Sequence, residues 1–420
     1  MTEQLLQFIW QFQYYNKSDL LTSSGEVLQI IYPGTKNTNQ GPDFLNAKIK
    51  TGDTILAGSI EIHINASEWN AHKHSDDPNY KNVILHVVWQ EDKSLQLNFP
   101  VLELQSRASN IMLEKYEMLM NARQFIPCDS HLHLVSDISF TAWKERLLVE
   151  RLQEKAAYVE QKLINNNHHW EEVFWQLLAK NFGMKINSDA FESIAGTVPL
   201  NILGKHKNQL HQLEALLLGQ AGLLNKEFKD DYAIMLKKEY EFLKVKYYLS
   251  PIHIPVHFLR MRPANFPTIR LSQLAMLVYK SHHLFSKVKD AETINEVEHL
   301  FDVTANDYWH YHYSFDDETS FKKKTLGKQM LQNIIVNTVL PVLYSYGWYN
   351  NAEIYKDKAL LWAAQLLPEK NNITEGFKAL GVSNKSAYDS QALIQLKNNY
   401  CNQKRCLQCA VGNSILKNVF

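Results

Sequence analysis

Apolar and polar positions alternate with a period of two in the first third of the chain. Beyond it they recur every three or four residues. A short amphipathic helix, Gln4 to Tyr15, opens the sequence, and an apolar run from Val27 to Tyr32 ends at Pro33-Gly34. Leu45 to Lys50 alternates as a strand does, Thr51-Gly52-Asp53 signals a turn, and Ile55 to Ile64 alternates again, which predicts a hairpin. Ser67 is placed to cap a short helix through Glu68 and Trp69. Val83 to Trp89 is apolar almost throughout, as a strand buried on both faces would be, and Pro100 to Leu104 can add one more. The expected order is α-β-β-β-α-β. From Asp137 onward, segments 141–165, 170–183, 208–223, 230–248, 270–286, 325–345 and 350–366 carry apolar residues at helical spacing, with Pro and Gly mainly between them. The fold class expected is α+β: an α/β domain over residues 1–125, a large all-α domain over 126–400, and a C-terminal segment, 401–420.

Composition narrows the function only a little. Lys+Arg and Asp+Glu each total 44, so the formal net charge is zero and no bulk basic character advertises nucleic acid. Residues 1–125 hold 10 basic and 14 acidic side chains, which leaves the remainder net positive by four. No apolar run approaches the ~18 residues of a membrane helix. The N-terminus lacks a basic start before an apolar stretch and a small-residue cleavage site, so a cytoplasmic location is expected.

The strongest chemical signal lies in the predicted hairpin. A three-residue loop at Thr51-Gly52-Asp53 pairs residue i with residue 104 − i and sets Asp43 opposite Glu61. Like charges directly opposed in a sheet are unfavourable, so two such carboxylates share a proton or hold a cation. Alternation puts His63 on the same face as Glu61 and turns Ile60, Ile62 and Ile64 the other way. One or two carboxylates suit Mg²⁺ or Mn²⁺. Gly41-Pro42-Asp43, then a hairpin, then Glu61-Ile62-His63, then a helix and a buried strand resembles the core of the PD-(D/E)XK nuclease superfamily. That resemblance implies a restriction-endonuclease-like domain in which Asp43 and Glu61 ligate the metal. His63 stands where the superfamily has a Lys, and a neutral imidazole there would act as a base or a third ligand. Glu26 is a further acidic group within reach of the same reading. The whole chain also resembles a bacterial family of domain-of-unknown-function type, through Gly58-Ser59-Ile60-Glu61-Ile62-His63, Leu85-His86-Val87-Val88, Leu213-Glu214-Ala215, Gly219-Gln220-Ala221-Gly222, Arg262-Pro263-Ala264-Asn265-Phe266-Pro267 and Cys406-Leu407-Gln408-Cys409. This second resemblance implies no activity.

Further polar groups stand apart from the hairpin. His72 and His74 form a His-x-His pair in a polar loop, and His86 interrupts an apolar strand; imidazoles so spaced chelate transition metals, or are satisfied structural residues. Cys401-x4-Cys406-x2-Cys409 is a tight trio, with Cys128 as fourth ligand or His131 or His133 in its place. Four thiolates suit Zn²⁺ or a [4Fe–4S] cluster and would tie the chain's end back to the α/β domain. Some nucleases of the superfamily and the helical DNA-repair glycosylases resemble this trio, with different spacing. Arg260, Arg262 and Arg270 flank a Pro-punctuated turn holding Asn265 and Phe266. They fit phosphate contacts beside a stacking ring, or helix capping and ion pairing. Gly219 and Gly222 suggest a closely packed helix.

The expected function is a Mg²⁺- or Mn²⁺-dependent phosphodiesterase acting on DNA or RNA. The alternatives are a metal-dependent hydrolase of a small substrate that uses the three histidines, and a non-catalytic scaffold that binds nucleic acid or protein.

Overall fold

The computed structural model describes residues 1–259 and 261–417. They group into two units: Met1–Glu145 with the chain from Gln395 onward, and Arg146–Ile394. The division therefore falls after Glu145 rather than at residue 125, and the C-terminal segment joins the first unit. Among the described residues no helix is long and apolar enough to cross a membrane.

In the first unit, α1 (Glu3–Gln11) starts where the Thr2 side chain accepts from the Leu5 amide and buries Leu5, Leu6, Phe8, Ile9 and Trp10. The strands are β1 (Leu28–Tyr32), β2 (Thr35–Lys36), β3 (Phe44–Thr51), β4 (Thr54–Asn65), β5 (Val83–Gln90) and β6 (Val101–Glu103). The sheet runs β1-β3-β4-β5-β6, with β2 paired to β3. Pairing is antiparallel as far as β4, and β4, β5 and β6 are parallel. Parallel neighbours need a crossover. Here it holds α2 (Glu68–Ala71) and the short turns His74–Asp76 and Pro78–Tyr80. Ser67 does not cap α2; its hydroxyl donates to Asp92 Oδ2 at 2.6 Å.

The hairpin register departs from expectation twice, and the two departures cancel. The turn is Gly52-Asp53, with Gly52 at φ +54°, and pairs Thr51 with Thr54. Up to Ala47↔Gly58 the partners follow 105 − i, not 104 − i. Asn46, at φ +59°, then forms a bulge, and Phe44 pairs with Ile60. An extra residue on one strand shifts every later pair by one, which brings Asp43 level with Glu61.

The second unit is helical, with a small hairpin of His312–Ser314 and Asp317–Glu318. Segment 270–286 is not one helix: Pro267–Lys280 stops before Ser281, and Leu284–Asp290 restarts after His283 at φ +53°. Segment 325–345 includes a π-helical turn, Ile335–Val339, immediately before Leu340–Tyr349. Pro341 has no amide for the Asn337 carbonyl; the Asn181 side chain donates to that oxygen instead, at 3.2 Å. Glu214 is fully buried and accepts from Ser272, Tyr232 and the Trp309 indole, so one carboxylate joins residues distant in sequence. A Cβ on Gly219 would collide with the Tyr240 ring, whereas one on the helical Gly196 would meet nothing within 4 Å. Gly219→Ala is expected to destabilise by about 1–3 kcal/mol through overpacking. Gly196→Ala should be neutral or stabilise by up to ~1 kcal/mol. Urea midpoints of the two variants against wild type check this.

Candidate metal centre

Three segments supply the site. Glu61 and His63 project from one face of β4, and parallel pairing sets His86 of β5 beside Glu61. The crossover adds His72 and His74, separated by Lys73 at φ +57°. A lysine in the left-handed region costs about 1–2 kcal/mol, and the surrounding structure holds it there. Trp69 of α2 walls the site, with its ring 5.2 Å from His74 and 5.3 Å from His86 and its indole donating to Ser75. Tyr80 stacks on His74 at 3.8 Å between centroids.

The donor atoms converge on one region. Glu61 Oε1 lies 3.5 Å from His63 Nε2 and 3.4 Å from His74 Nε2. His63 Nε2 lies 3.2 Å from His72 Nδ1. His63, His72 and His74 each offer a nitrogen such that all three lie within 4.8 Å of one another. Zn–N and Zn–O bonds of about 2.0–2.2 Å in a tetrahedron separate donors by roughly 3.3–3.6 Å. Three separations, 3.2, 3.4 and 3.5 Å, are close to that edge, and the three imidazoles lie near enough to one another to fit one divalent ion. The opposite nitrogen of the central imidazole, His63 Nδ1, sits 2.9 Å from His86 Nε2. A His63 that offers Nε2 to a cation keeps its proton on Nδ1 and donates it to His86, the outer partner that orients a metal-ligating histidine.

Burial sets the protonation. Relative exposure is 0% for His86, 1% for His63, 6% for Glu61 and 8% for His74, whereas His72 is exposed and forms the open side. Desolvation, then the neighbouring imidazoles, push His63 down to about 3. The same causes bring His86 to about 4 and lower His74. Neutral imidazole is the ligating form. Desolvation, then the Asp43 carboxylate, raise Glu61 to about 8. Asp43 rises to about 6 through burial and Glu3. His74 Nε2 and His86 Nδ1 are buried without a hydrogen-bond partner.

The two expected carboxylates meet in different roles. The Asp43 amide donates to Glu61 Oε2 at 3.1 Å. Asp43 itself accepts from Gln7 Nε2 at 2.8 Å and from the Ile62 amide at 3.1 Å. Both Asp43 oxygens are thus engaged, while Glu61 Oε1 faces the imidazoles. Gln7 escaped the sequence reading because it sits mid-helix in α1, with nothing in its spacing to mark it. Glu26 is exposed and accepts from Thr51 at the turn end of the hairpin, about 20 Å along the strand from Phe44. It is not brought to the site.

The other expected residues lie elsewhere. Cys128, Cys401, Cys406 and Cys409 are buried free thiols of the first unit. Burial and the neighbouring cysteines push Cys128 and Cys406 up to about 12 and also raise Cys401. In the second unit, Arg270 is buried and donates to Gln273 Oε1 and Asn265 Oδ1, while Arg262 is exposed. Arg260 lies outside the described residues.

The first unit is thus a mixed-sheet α+β body with an imidazole–carboxylate cluster over its parallel strands. A family model described as "Protein of unknown function (DUF2851)" matches residues 3–372, and the chain belongs to that family. The matched stretch includes the cluster and Cys128 and ends before the cysteine trio. No curated protein and no solved structure matches the chain.

The raised Glu61 carboxyl makes a signed prediction for metal-free protein. Its folded value, about 8, exceeds the ordinary 4.5. The folded state therefore holds the extra proton between those values, and stability from this group is lost as pH rises from 4.5 to 8. Chelator-treated Glu61→Gln should gain stability relative to wild type across that window. Urea unfolding at pH 5, 6.5 and 8 checks the trend; a constant difference contradicts it.

Proposed function

We propose that the chain is a metal-dependent phosphodiesterase acting on nucleic acid, with Glu61, His63, His72 and His74 holding one divalent ion. The observation that carries this reading is the group of three imidazole nitrogens mutually within 4.8 Å, with Glu61 Oε1 3.5 Å from His63 Nε2 and 3.4 Å from His74 Nε2. Three imidazoles with one carboxylate favour a transition ion such as Mn²⁺ or Zn²⁺ over Mg²⁺, which prefers oxygen donors. A bound ion of this kind supplies Lewis acidity toward a phosphoryl oxygen and acidifies a water.

The chain's own residues do the rest. Asp43 carries a carboxyl near neutrality beside the ligands, and in this reading it takes or returns a proton at its Oδ atoms. Gln7 and the Ile62 amide fix its orientation. His86 holds the ring of His63, and Trp69 and Tyr80 exclude solvent from the inner side. The order of α1, the antiparallel strands, the crossover and parallel β5 supports the nuclease-like reading, with His63 as a ligand in place of the superfamily's Lys. A second reading, hydrolysis of a small substrate, is favoured by the burial of Glu61, His63 and His74, which leaves His72 as the exposed edge.

The test uses full-length protein stripped with chelator and resupplied with Mn²⁺, Zn²⁺ or Mg²⁺. The substrates are single- and double-stranded DNA, RNA and a chromogenic phosphodiester. Cleavage should vanish on stripping and return better with Mn²⁺ or Zn²⁺ than with Mg²⁺. Glu61→Gln and His74→Ala should each lower kcat by at least about 100-fold. Asp43→Asn, which acts beside the ligands, should cost about 10–100-fold. Cleavage of the chromogenic ester alone selects the small-substrate enzyme. Undiminished cleavage by Glu61→Gln and His74→Ala removes the site, and inertness with tight nucleic-acid binding selects a scaffold.

A further inference from the structure

The four cysteines take no part in the hydrolytic site, yet they show the marks of a built ligand set. Cys128 precedes the 3-10 segment Asp129–Leu134. Cys401 closes the π-helical turn Leu396–Cys401, Cys406 opens the turn Cys406–Gln408, and Cys409 directly precedes the helix Ala410–Lys417. Each of the four is 6–9% exposed, and none forms a disulfide. The turn Cys406–Gln408 packs against both Leu396–Cys401 and Ala410–Lys417, and Ala410–Lys417 packs on Asp129–Leu134, so the four cysteines share one neighbourhood.

The backbone around them leaves no slack. A Cβ on Gly412 would run into the Cys406 carbonyl, so only glycine lets the last helix approach the preceding turn. Cys409 stands just before the Val411 and Gly412 amides at the start of the last helix. Lys397 donates to the Phe125 carbonyl and Lys404 to the Met120 carbonyl, which pins the C-terminal segment beside the stretch leading to Cys128 and brings cationic groups near an anionic centre. His131 Nδ1 lies 2.9 Å from the Ser130 hydroxyl.

The spread of the sulfurs favours the larger of the two centres that four thiolates suit. One tetrahedral Zn²⁺ with Zn–S near 2.3 Å holds its sulfurs roughly 3.8 Å apart. Among the described residues, which include all four cysteines, the donor atoms found mutually within 4.8 Å are those of the histidine trio, and no three sulfurs meet that limit. An inorganic iron–sulfur core between the thiolates spreads them over a wider tetrahedron.

We propose that Cys128, Cys401, Cys406 and Cys409 together hold one [4Fe–4S] cluster, which fastens the C-terminal segment to the chain at Cys128 within the first unit. The cluster is independent of the hydrolytic reading. The test measures iron, acid-labile sulfide and zinc in full-length protein isolated without oxygen and then reconstituted with ferrous iron and sulfide. About four irons and four sulfides per chain with broad visible absorption are expected. Cys406→Ser should lose most of the iron, and His131→Ala should keep it. Where Cys406→Ser does not fold, alkylation of wild type serves instead: four thiols should be protected while loaded and become reactive after iron is chelated. One zinc, two irons, or a colourless reconstituted protein with four reactive thiols overturns the assignment. Iron retained in a folded Cys406→Ser removes that residue from the ligand set and overturns it as well.

Discussion

Parallel pairing between β4 and β5 is the constraint on which the candidate metal centre depends. It sets Glu61 beside His86 and requires a crossover between the strands. That crossover is short and irregular, and it carries His72 and His74 back over the strand face from which Glu61 and His63 project. Were the two strands antiparallel, a tight hairpin would join them and neither loop histidine would be present. The cluster is thus a by-product of strand direction.

Electrostatically the site carries little charge. Burial holds three imidazoles neutral and keeps Glu61 protonated near pH 7. Buried polar atoms without partners are costly, and His74 Nε2 is such an atom beside the Glu61 carboxylate. A divalent ion would satisfy both groups and draw Glu61 into its ionised form. The four cysteines are likewise buried polarisable groups, held as free thiols in the same unit.

The hairpin shows how far sequence reasoning reaches. Asp43 and Glu61 meet as alternation implied, but through a shorter turn and a compensating bulge at Asn46. Nothing in Leu45-Asn46-Ala47 announces a bulge, because Asn is merely one of the residues that tolerate the left-handed region. The helical segments were readable from their apolar spacing, and their interruptions were not. The π-helical turn before Pro341 depends on Asn181, which lies far away in the chain.

By itself, the sequence determined the opening helix and the longer strands of the first unit, though not β2 or the helix Asn110–Asn121, together with the helical character of the second and the residue types with ligating chemistry. Those properties are local, since period, turn residues and side-chain type act within a few positions. Only the tertiary structure decided that Glu61 faces the imidazoles while Asp43 is held by Gln7 and a backbone amide, that Glu26 stays at the far end of the hairpin, and that Arg270 turns inward. Each of these depends on strand direction, register or long-range packing, which are set by the free energy of the whole unit and leave no trace at a single position.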